Sequence, residues 1–191
     1  MHRFDPNKKV EKDYMRNNFK VMDKNSKMVL FRNIFAKKHS ISTDELYDLI
    51  QIENDIELLS IMYVVLGKSS DEADVLKICK GLKHSSDIVR RHAVIGLGLI
   101  TSEYIMTFLF DVLEDKSHKV QRQAYIICKK INSNMLFEYL HFKISDIEDS
   151  ELLKKYYLLF KDYSLNEEEK KIFDFLDGKI KSVNSFEDVL I

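Results

Sequence analysis

The sequence is short of the two residues that most often form turns, with one proline and five glycines among 191 residues. Average usage would give about ten prolines and about thirteen glycines at this length, so turn-rich β architectures and collagen-like or disordered chains are disfavoured. Two cysteines are too few for a disulfide framework and favour a reducing compartment. The sequence therefore predicts a fold made almost entirely of helices.

Long apolar segments are also missing. The longest nearly continuous apolar run, residues 104–110, is far shorter than the roughly twenty residues that a membrane-spanning helix needs. The first twenty residues lack the apolar stretch that follows the charges in a secretory signal. These absences predict a soluble, cytoplasmic protein with no membrane partner.

The charge is balanced overall but unevenly distributed. The net charge of -1 argues against a uniformly basic coat for nucleic acid. Residues 1–40, however, carry eleven Lys or Arg and four Asp or Glu. This basic segment is either a solvated arm or a surface that docks onto an acidic partner or a phosphate.

Four segments repeat one apolar pattern at a nearly constant spacing. Three begin 31 residues apart, at Glu57, Ile88 and Lys119, and a fourth begins at Glu151, 32 residues after the third. Apolar residues recur within each copy at positions i, i+4, i+7 and i+8, which lie on one face of an α-helix. Each such helix, termed a B helix, follows another apolar helix, termed an A helix. The sequence therefore predicts an antiparallel A/B hairpin about every 31 residues.

The A helices are predicted at residues 44–51, 72–82, 103–113, 135–142 and 167–175. Ser42, Ser69 and Ser164 each precede a glutamate by three residues, which is the spacing of a capping box at a helix N-terminus. Residues 10–38 are expected to add one or two helices, and the tail after Gly178 is expected to fray. We predict a basic N-terminal arm and helix over residues 1–40, a repeat domain over 41–178 and a C-terminal tail over 179–191.

The two central copies resemble the HEAT repeat in its short form of about 31 residues, the type found in phycobilisome-lyase-like proteins. The matching positions are Leu82, Val89, Arg90, Ala93, Leu97, Gly98 and Ile100, and then Leu113, Asp115, Val120, Ala124 and Ile131. The resemblance implies an α-α superhelix, a short right-handed solenoid of about four to five antiparallel hairpins. It also implies that Arg90 pairs with Asp115 of the next copy, whereas His84 stands where the family has an aspartate. Members bind partners on exposed helical faces, and the family implies no particular reaction.

Equivalent positions of successive B helices are expected to stack into rows across neighbouring hairpins. The candidate partner-binding residues form a row of cations and a row of aromatics: Arg91, Arg122 and Lys154, and Tyr63, Tyr125 and Tyr157. Cations beside aromatics can hold phosphates while bases stack, or can seat an acidic amphipathic peptide. The plainer alternative is an ordinary solvated helix face.

Residues that would carry catalysis or bind a metal are not arranged in any known pattern. The six histidines form no i, i+4 pair with a glutamate, and Cys79 and Cys128 fall on apolar stripes typical of inert, buried thiols. We therefore expect no enzymatic activity, no cofactor and no metal.

The favoured function is a non-catalytic interaction module or adaptor that binds a partner, most simply a protein, on the exposed face of its B helices and on its basic N-terminal arm. The alternative is binding of RNA, the ribosome or another nucleic acid through the same basic surface. A minor alternative is a HEAT-like alkylbase DNA glycosylase, which the absence of tryptophan disfavours. A homo-oligomer or a larger assembly would cover the exposed ends of so short a stack.

Overall fold

A computed structural model of the protein describes residues 15–100, 102–148, 153, 154, 156, 157 and 167–187. All regular secondary structure in these residues is helical, so the predicted all-α fold class is confirmed. The chain divides into two compact units, Met1–Ile105 and Met106–Ile191. The domain boundaries predicted at residues 40 and 178 stay predictions.

Unit 1 begins its described part with helical residues 15–21. The α-helices that follow are α1 Lys24–Phe35, α2 Thr43–Ile50, α3 Ile56–Ser69, α4 Val75–Cys79 and α5 Asp87–Leu97. Short 3₁₀ helices flank α4 at Glu72–Asp74 and Lys80–Lys83, and a third spans Glu103–Ile105. Helix α2 packs against α3 and the α4 segment packs against α5, which are the predicted A/B pairs. The most extensive packing joins the two B helices, α3 and α5.

Unit 2 contains α6 Met106–Val112, α7 His118–Ile131, α8 Ser133–Asp146 and α9 Glu167–Glu187. Helix α7 packs against α6 and α8, and α8 packs against α9. The predicted end of α9 at Phe175 is wrong, because the helix continues through Gly178 to Glu187. Lys179 holds this extension, since its Nζ donates to the carbonyl oxygens of Ile144, at 2.7 Å, and Ser145.

The N-terminal cap of α1 lies at nearly the same spacing as the caps of the B helices. Helices α1, α3, α5 and α7 are preceded by Asp23, Asp55, Ser86 and Ser117, so successive caps lie 32, 31 and 31 residues apart. The carboxylates of Asp23 and Asp55 accept backbone N–H groups of the first turn, which stabilises both helix starts. The sequence pattern had predicted a helix in this region without assigning it to the repeat.

A column of buried side chains confirms the 31-residue register. Phe31, Met62, Ala93 and Ala124 are spaced by 31 residues and are each 0% exposed. Periodic burial of this kind is expected when every B helix turns the same face toward the core. Met62, Ala93 and Ala124, each seven residues after the helix cap, therefore serve the same packing role, and Phe31 is buried one residue further from its cap.

One predicted capping box is confirmed and another is wrong. Ser42 Oγ accepts the Glu45 N–H at 3.2 Å, and the Glu45 carboxylate accepts the Ser42 N–H at 3.0 Å. Ser69, in contrast, is the last residue of α3, and Asp71 caps the next helical segment by accepting the Ala73 N–H. The third predicted cap, Ser164, lies outside the described residues.

Candidate partner-binding groove

A groove of about 870 Å³ opens in unit 1 beside the first turns of α3 and α5. Its lining residues are Lys24, Asn54, Asp55, Ile56, Glu57, Ser60, Ile61, Ile88 and His92. All but Lys24 belong to the two B helices or to the loop that leads into α3. The groove therefore lies on the B-helix side of the hairpins, where the sequence predicted a partner surface.

Small residues draw α3 and α5 together near their C-terminal ends, at the opposite end of the two helices from this groove. A β-carbon added to Gly67 would lie 2.5 Å from the Gly96 Cα, so the two helix backbones are in direct contact there. A β-carbon on Gly96 would lie 2.5 Å from the Tyr63 carbonyl oxygen. Only glycine at both positions permits this approach, because any larger residue would displace backbone rather than a flexible side chain.

Two isoleucines are the most exposed apolar side chains of the groove. Ile56 is 44% exposed and Ile88 is 50% exposed, and each lies in the first turn of its helix. Residues this apolar are uncommon in the first turn, where polar and acidic side chains satisfy free N–H groups. The apolar pattern of the repeat does not predict them, because they lie outside the buried stripe of each helix.

Charged groups on the rim are paired with one another. The Lys24 Nζ lies 3.0 Å from an Asp55 oxygen and 2.7 Å from a Glu57 oxygen. A backbone hydrogen bond from Leu58 and the contact with Lys24 lower the pKa of Asp55, while the two carboxylates raise the pKa of Lys24. These exposed pairs contribute little stability but fix α1 against the start of α3.

The polar side chains inside the groove are held by the helix backbone. Ser60 is buried and its hydroxyl donates to the Glu57 carbonyl oxygen at 2.7 Å. His92 Nδ1 lies 2.7 Å from the Ile88 carbonyl oxygen. Because a carbonyl only accepts hydrogen bonds, Nδ1 must carry the proton in this arrangement. The contact orients the imidazole beside the exposed Ile88.

Two of the predicted aromatic residues are not surface residues. Tyr63 is 5% exposed and Tyr125 is 1% exposed, so their predicted place in an exposed row is wrong. Burial raises the pKa of Tyr63 to about 12. The Tyr125 hydroxyl donates to the buried Glu169 carboxylate at 2.6 Å. B helices pack on more than one side, and this buries positions beside the main apolar stripe.

The remaining predicted row residues differ in exposure. Tyr157 is half-buried and its ring centroid lies 4.8 Å from that of Phe173. Arg91 and Lys154 are exposed, and Arg122 is half-buried. Arg91 belongs to unit 1 and the other two cations to unit 2, so a continuous row of cations stays a prediction.

Arg90 stabilises the turn that leads into α5. Its side chain is buried, and Nη1 donates to the carbonyl oxygens of His84 and Ser85, each at 2.9 Å. This supports the structural role that the resemblance implies for Arg90. Its pairing with Asp115 stays a prediction, because the two residues belong to different units.

His84 replaces the family's aspartate in geometry as well as in position. His84 Nδ1 accepts the Ser86 N–H at 3.0 Å, and 31 residues later an Asp115 oxygen accepts the Ser117 N–H at 2.8 Å. Both side chains thus close the same two-residue turn before a B helix. A histidine at position 84 therefore preserves the hydrogen bond to the backbone that an aspartate would accept there.

Unit 2 has a groove of its own, of about 640 Å³, between two A helices, α8 and α9. Phe142 at its edge is 66% exposed, and the rings of His141 and Phe175 stack with their centroids 5.3 Å apart. Its lining residues belong to A helices, whereas the sequence predicted a partner surface on B helices. It supplies a useful internal comparison for the groove of unit 1.

Within the described part of the chain, no group of three or more His, Cys, Asp or Glu residues is placed to hold a metal ion. No helix in the same residues has the length and apolar character needed to span a bilayer.

No protein-family model matches the chain, and no curated protein matches it either.

Proposed function

We propose that this protein is a non-catalytic interaction module of the short HEAT-like class that docks a protein partner in the groove beside α3 and α5. The observation that carries the proposal is the exposure of Ile56 and Ile88 in one concave surface. Apolar anchors inside a polar rim are the usual centre of a protein interface.

The lining of the groove favours a protein over a nucleic acid there. Asp55 and Glu57 would repel phosphates, and none of the lining residues is a Phe, Tyr or Trp on which a base could stack. Nucleic-acid binding along the B helices is also less favoured because Tyr63 and Tyr125 are buried and their rings cannot stack on bases. Base excision from DNA, the minor alternative, gains no support from a groove without aromatic walls.

The proposal includes a cytoplasmic location, which the free cysteines Cys79 and Cys128 support because a reducing compartment keeps thiols unpaired. It also allows the partner to be a second copy of the chain. In that case the groove would fill on dimerisation, and the oligomeric state would depend on the same isoleucines.

Site-specific photocrosslinking tests the proposal. A benzophenone amino acid is placed at Ile88 in one variant and at Leu76 in another. Leu76 is the matched control because it is 60% exposed in the same unit and does not line the groove. Cells of the natural source producing each variant are irradiated, and adducts are separated and identified by mass spectrometry.

We expect a discrete protein adduct from position 88 and none from position 76. An adduct that disappears on ribonuclease treatment would contradict the choice of a protein partner. Equal labelling from both positions would contradict a specific groove. A third benzophenone at Phe142 tests the groove of unit 2. A specific adduct from position 142 alone would contradict the proposal and would show that the partner binds the groove between α8 and α9.

A further inference from the structure

The basic residues of the first described helices separate into a paired set and an unpaired set. Lys27 is paired with Glu53 at 2.8 Å, and both side chains are nearly buried, at 14% and 7% exposure. Lys24 is occupied by Asp55 and Glu57. These two lysines serve the fold, because they attach α1 to the loop and first turn of α3.

Over the described part of the chain, the unpaired residues are Arg16 and Lys20, which precede α1, and a second group at the C-terminal end of α1. Arg32, Lys37 and Lys38 are exposed, and within the described residues none of them forms an ion pair. Lys68, in the last turn of α3, is also exposed and without a carboxylate partner among those residues. Four cations thus lie toward the C-terminal ends of these two helices, and none of them forms an ion pair with a carboxylate of the described residues.

An exposed aromatic ring lies among these cations. The Lys68 Nζ is 3.9 Å from the centroid of the Phe35 ring, which places the end of α1 beside the end of α3. Phe35 is 38% exposed, whereas its neighbour Ile34 is 5% exposed. We call Arg32, Phe35, Lys37, Lys38 and Lys68 the basic patch.

Lys37 occupies a backbone conformation that glycine would adopt at lower cost. Its φ is 57°, and it follows α1 in a turn where the Lys38 N–H donates to the Asn33 carbonyl oxygen at 2.8 Å. The Lys37 N–H donates to the Ile34 carbonyl oxygen at 2.9 Å, which completes a Schellman motif. A lysine in place of the usual glycine is strained, and such strain often marks a functional position.

We propose that the basic patch binds single-stranded nucleic acid, with its cations on the phosphates and Phe35 against a base. Binding of this kind depends mainly on charge and needs only one or two rings for stacking. A protein interface would need a larger apolar area than Phe35 provides. The site is separate from the proposed protein groove, because Ile56 and Lys68 lie about 18 Å apart along α3.

The test measures binding of a fluorescent oligouridylate of roughly twelve nucleotides by anisotropy, between about 50 and about 200 mM salt. The patch variant carries Arg32→Gln, Lys37→Gln and Lys38→Gln. The control variant carries Lys116→Gln, Lys119→Gln and Lys130→Gln, which remove the same charge from exposed positions of unit 2. Ile88→Asp is included to separate this site from the groove.

We expect the patch variant to weaken binding at low salt at least about tenfold and to reduce the log-log salt slope by about 2, since each phosphate contact contributes about 0.7. The control variant and Ile88→Asp should each change the Kd at low salt less than about twofold and should leave the salt slope unchanged. Phe35→Leu keeps the apolar bulk but removes the ring, and should weaken binding about fivefold or more.

Lys37→Gly separates binding from folding. It should raise the Tm, because glycine relieves the strain, and still weaken oligonucleotide binding, because the cation is lost. A higher Tm with an unchanged Kd for the oligonucleotide would show that Lys37 does not contact the nucleic acid. The proposal is overturned if the wild-type protein binds no oligonucleotide at about 50 mM salt, or if the control variant loses as much affinity as the patch variant. It is also overturned if phosphatidylserine vesicles or polyglutamate bind at the patch while the oligonucleotide does not.

Discussion

Gly67 and Gly96 bring the backbones of α3 and α5 into contact, such that a β-carbon on Gly67 would lie 2.5 Å from the Gly96 Cα. We predict that Gly67→Ala lowers the free energy of unfolding by about 2–3 kcal/mol, as expected for overpacking against a backbone that cannot yield. Urea denaturation measures the change.

Gly178→Ala is the control for this prediction. Gly178 lies inside α9, and a β-carbon there would meet no atom within 4 Å. Alanine should therefore stabilise the protein by about 0.5–1 kcal/mol, because it restricts the unfolded chain and favours the helix. A similar loss of stability in both variants would contradict the close contact assigned to Gly67.

His84 is predicted to be replaceable by aspartate but not by alanine. His84→Ala leaves the Ser86 N–H without its acceptor and should cost about 1 kcal/mol. His84→Asp restores an acceptor of the kind that Asp115 supplies to Ser117 and should cost less than half as much. Thermal unfolding of both variants, with the exposed His39→Ala as a control, checks this order. Equal losses for alanine and aspartate would show that the turn does not depend on this hydrogen bond.

Glu53 is predicted to make unit 1 sensitive to acid. Burial alone would raise the pKa of Glu53, but hydrogen bonds from Lys27 and from the backbone of Asp55 and Asn54 outweigh it and lower the pKa below 4.5. A lowered folded-state pKa contributes stability above the unfolded-state value, and this contribution is lost as the pH falls through the folded-state value.

The stability of the wild-type protein should therefore decline as the pH falls below about 4.5, and Glu53→Gln should flatten that part of the curve. Urea midpoints at several acidic pH values measure the effect. Glu148→Gln, at an exposed position, should leave the shape of the curve unchanged. An acid limb that is the same in Glu53→Gln and wild type would rule out this ion pair as its source.

The two thiols are predicted to be inert in the folded protein. Burial raises the pKa of Cys79 to about 11 and that of Cys128 to about 12, so almost no thiolate is present at neutral pH. A thiol reagent such as Ellman's should label the native protein slowly and the urea-unfolded protein rapidly. Fast labelling of either cysteine in the native state would contradict the burial assigned to it.

The sequence was sufficient for the helical class and for the period of the repeat because both depend on apolar spacing. Met62, Ala93 and Ala124 share one buried position, and all three lie on the predicted stripe. The sequence pattern does not assign α1 to the repeat, because Phe31 is bulky near the place where later copies have smaller residues. A sequence repeat can be recognised only when the residues at equivalent positions of its copies are similar.

The candidate site was harder to predict, because exposure depends on packing around the whole helix. Tyr63 and Tyr125 lie next to the apolar stripe and looked available, yet neighbouring elements bury both. Ile56 and Ile88 lie in the first turns of their helices, where an apolar side chain gives no periodic signal. Likewise Ser69 had the spacing of a cap but ends the preceding helix, because α3 is longer than its predicted core.

The most direct test of the proposed function is the affinity of the crosslinked protein partner for Ile88→Asp compared with Leu76→Asp, measured by titration calorimetry. Both substitutions place a charge at an exposed apolar position of unit 1, and only Ile88 lines the groove. The account predicts that Ile88→Asp raises the Kd at least about tenfold, a loss of about 1.4 kcal/mol, whereas Leu76→Asp changes it little. Equal affinities for the two variants would contradict a docking site beside α3 and α5.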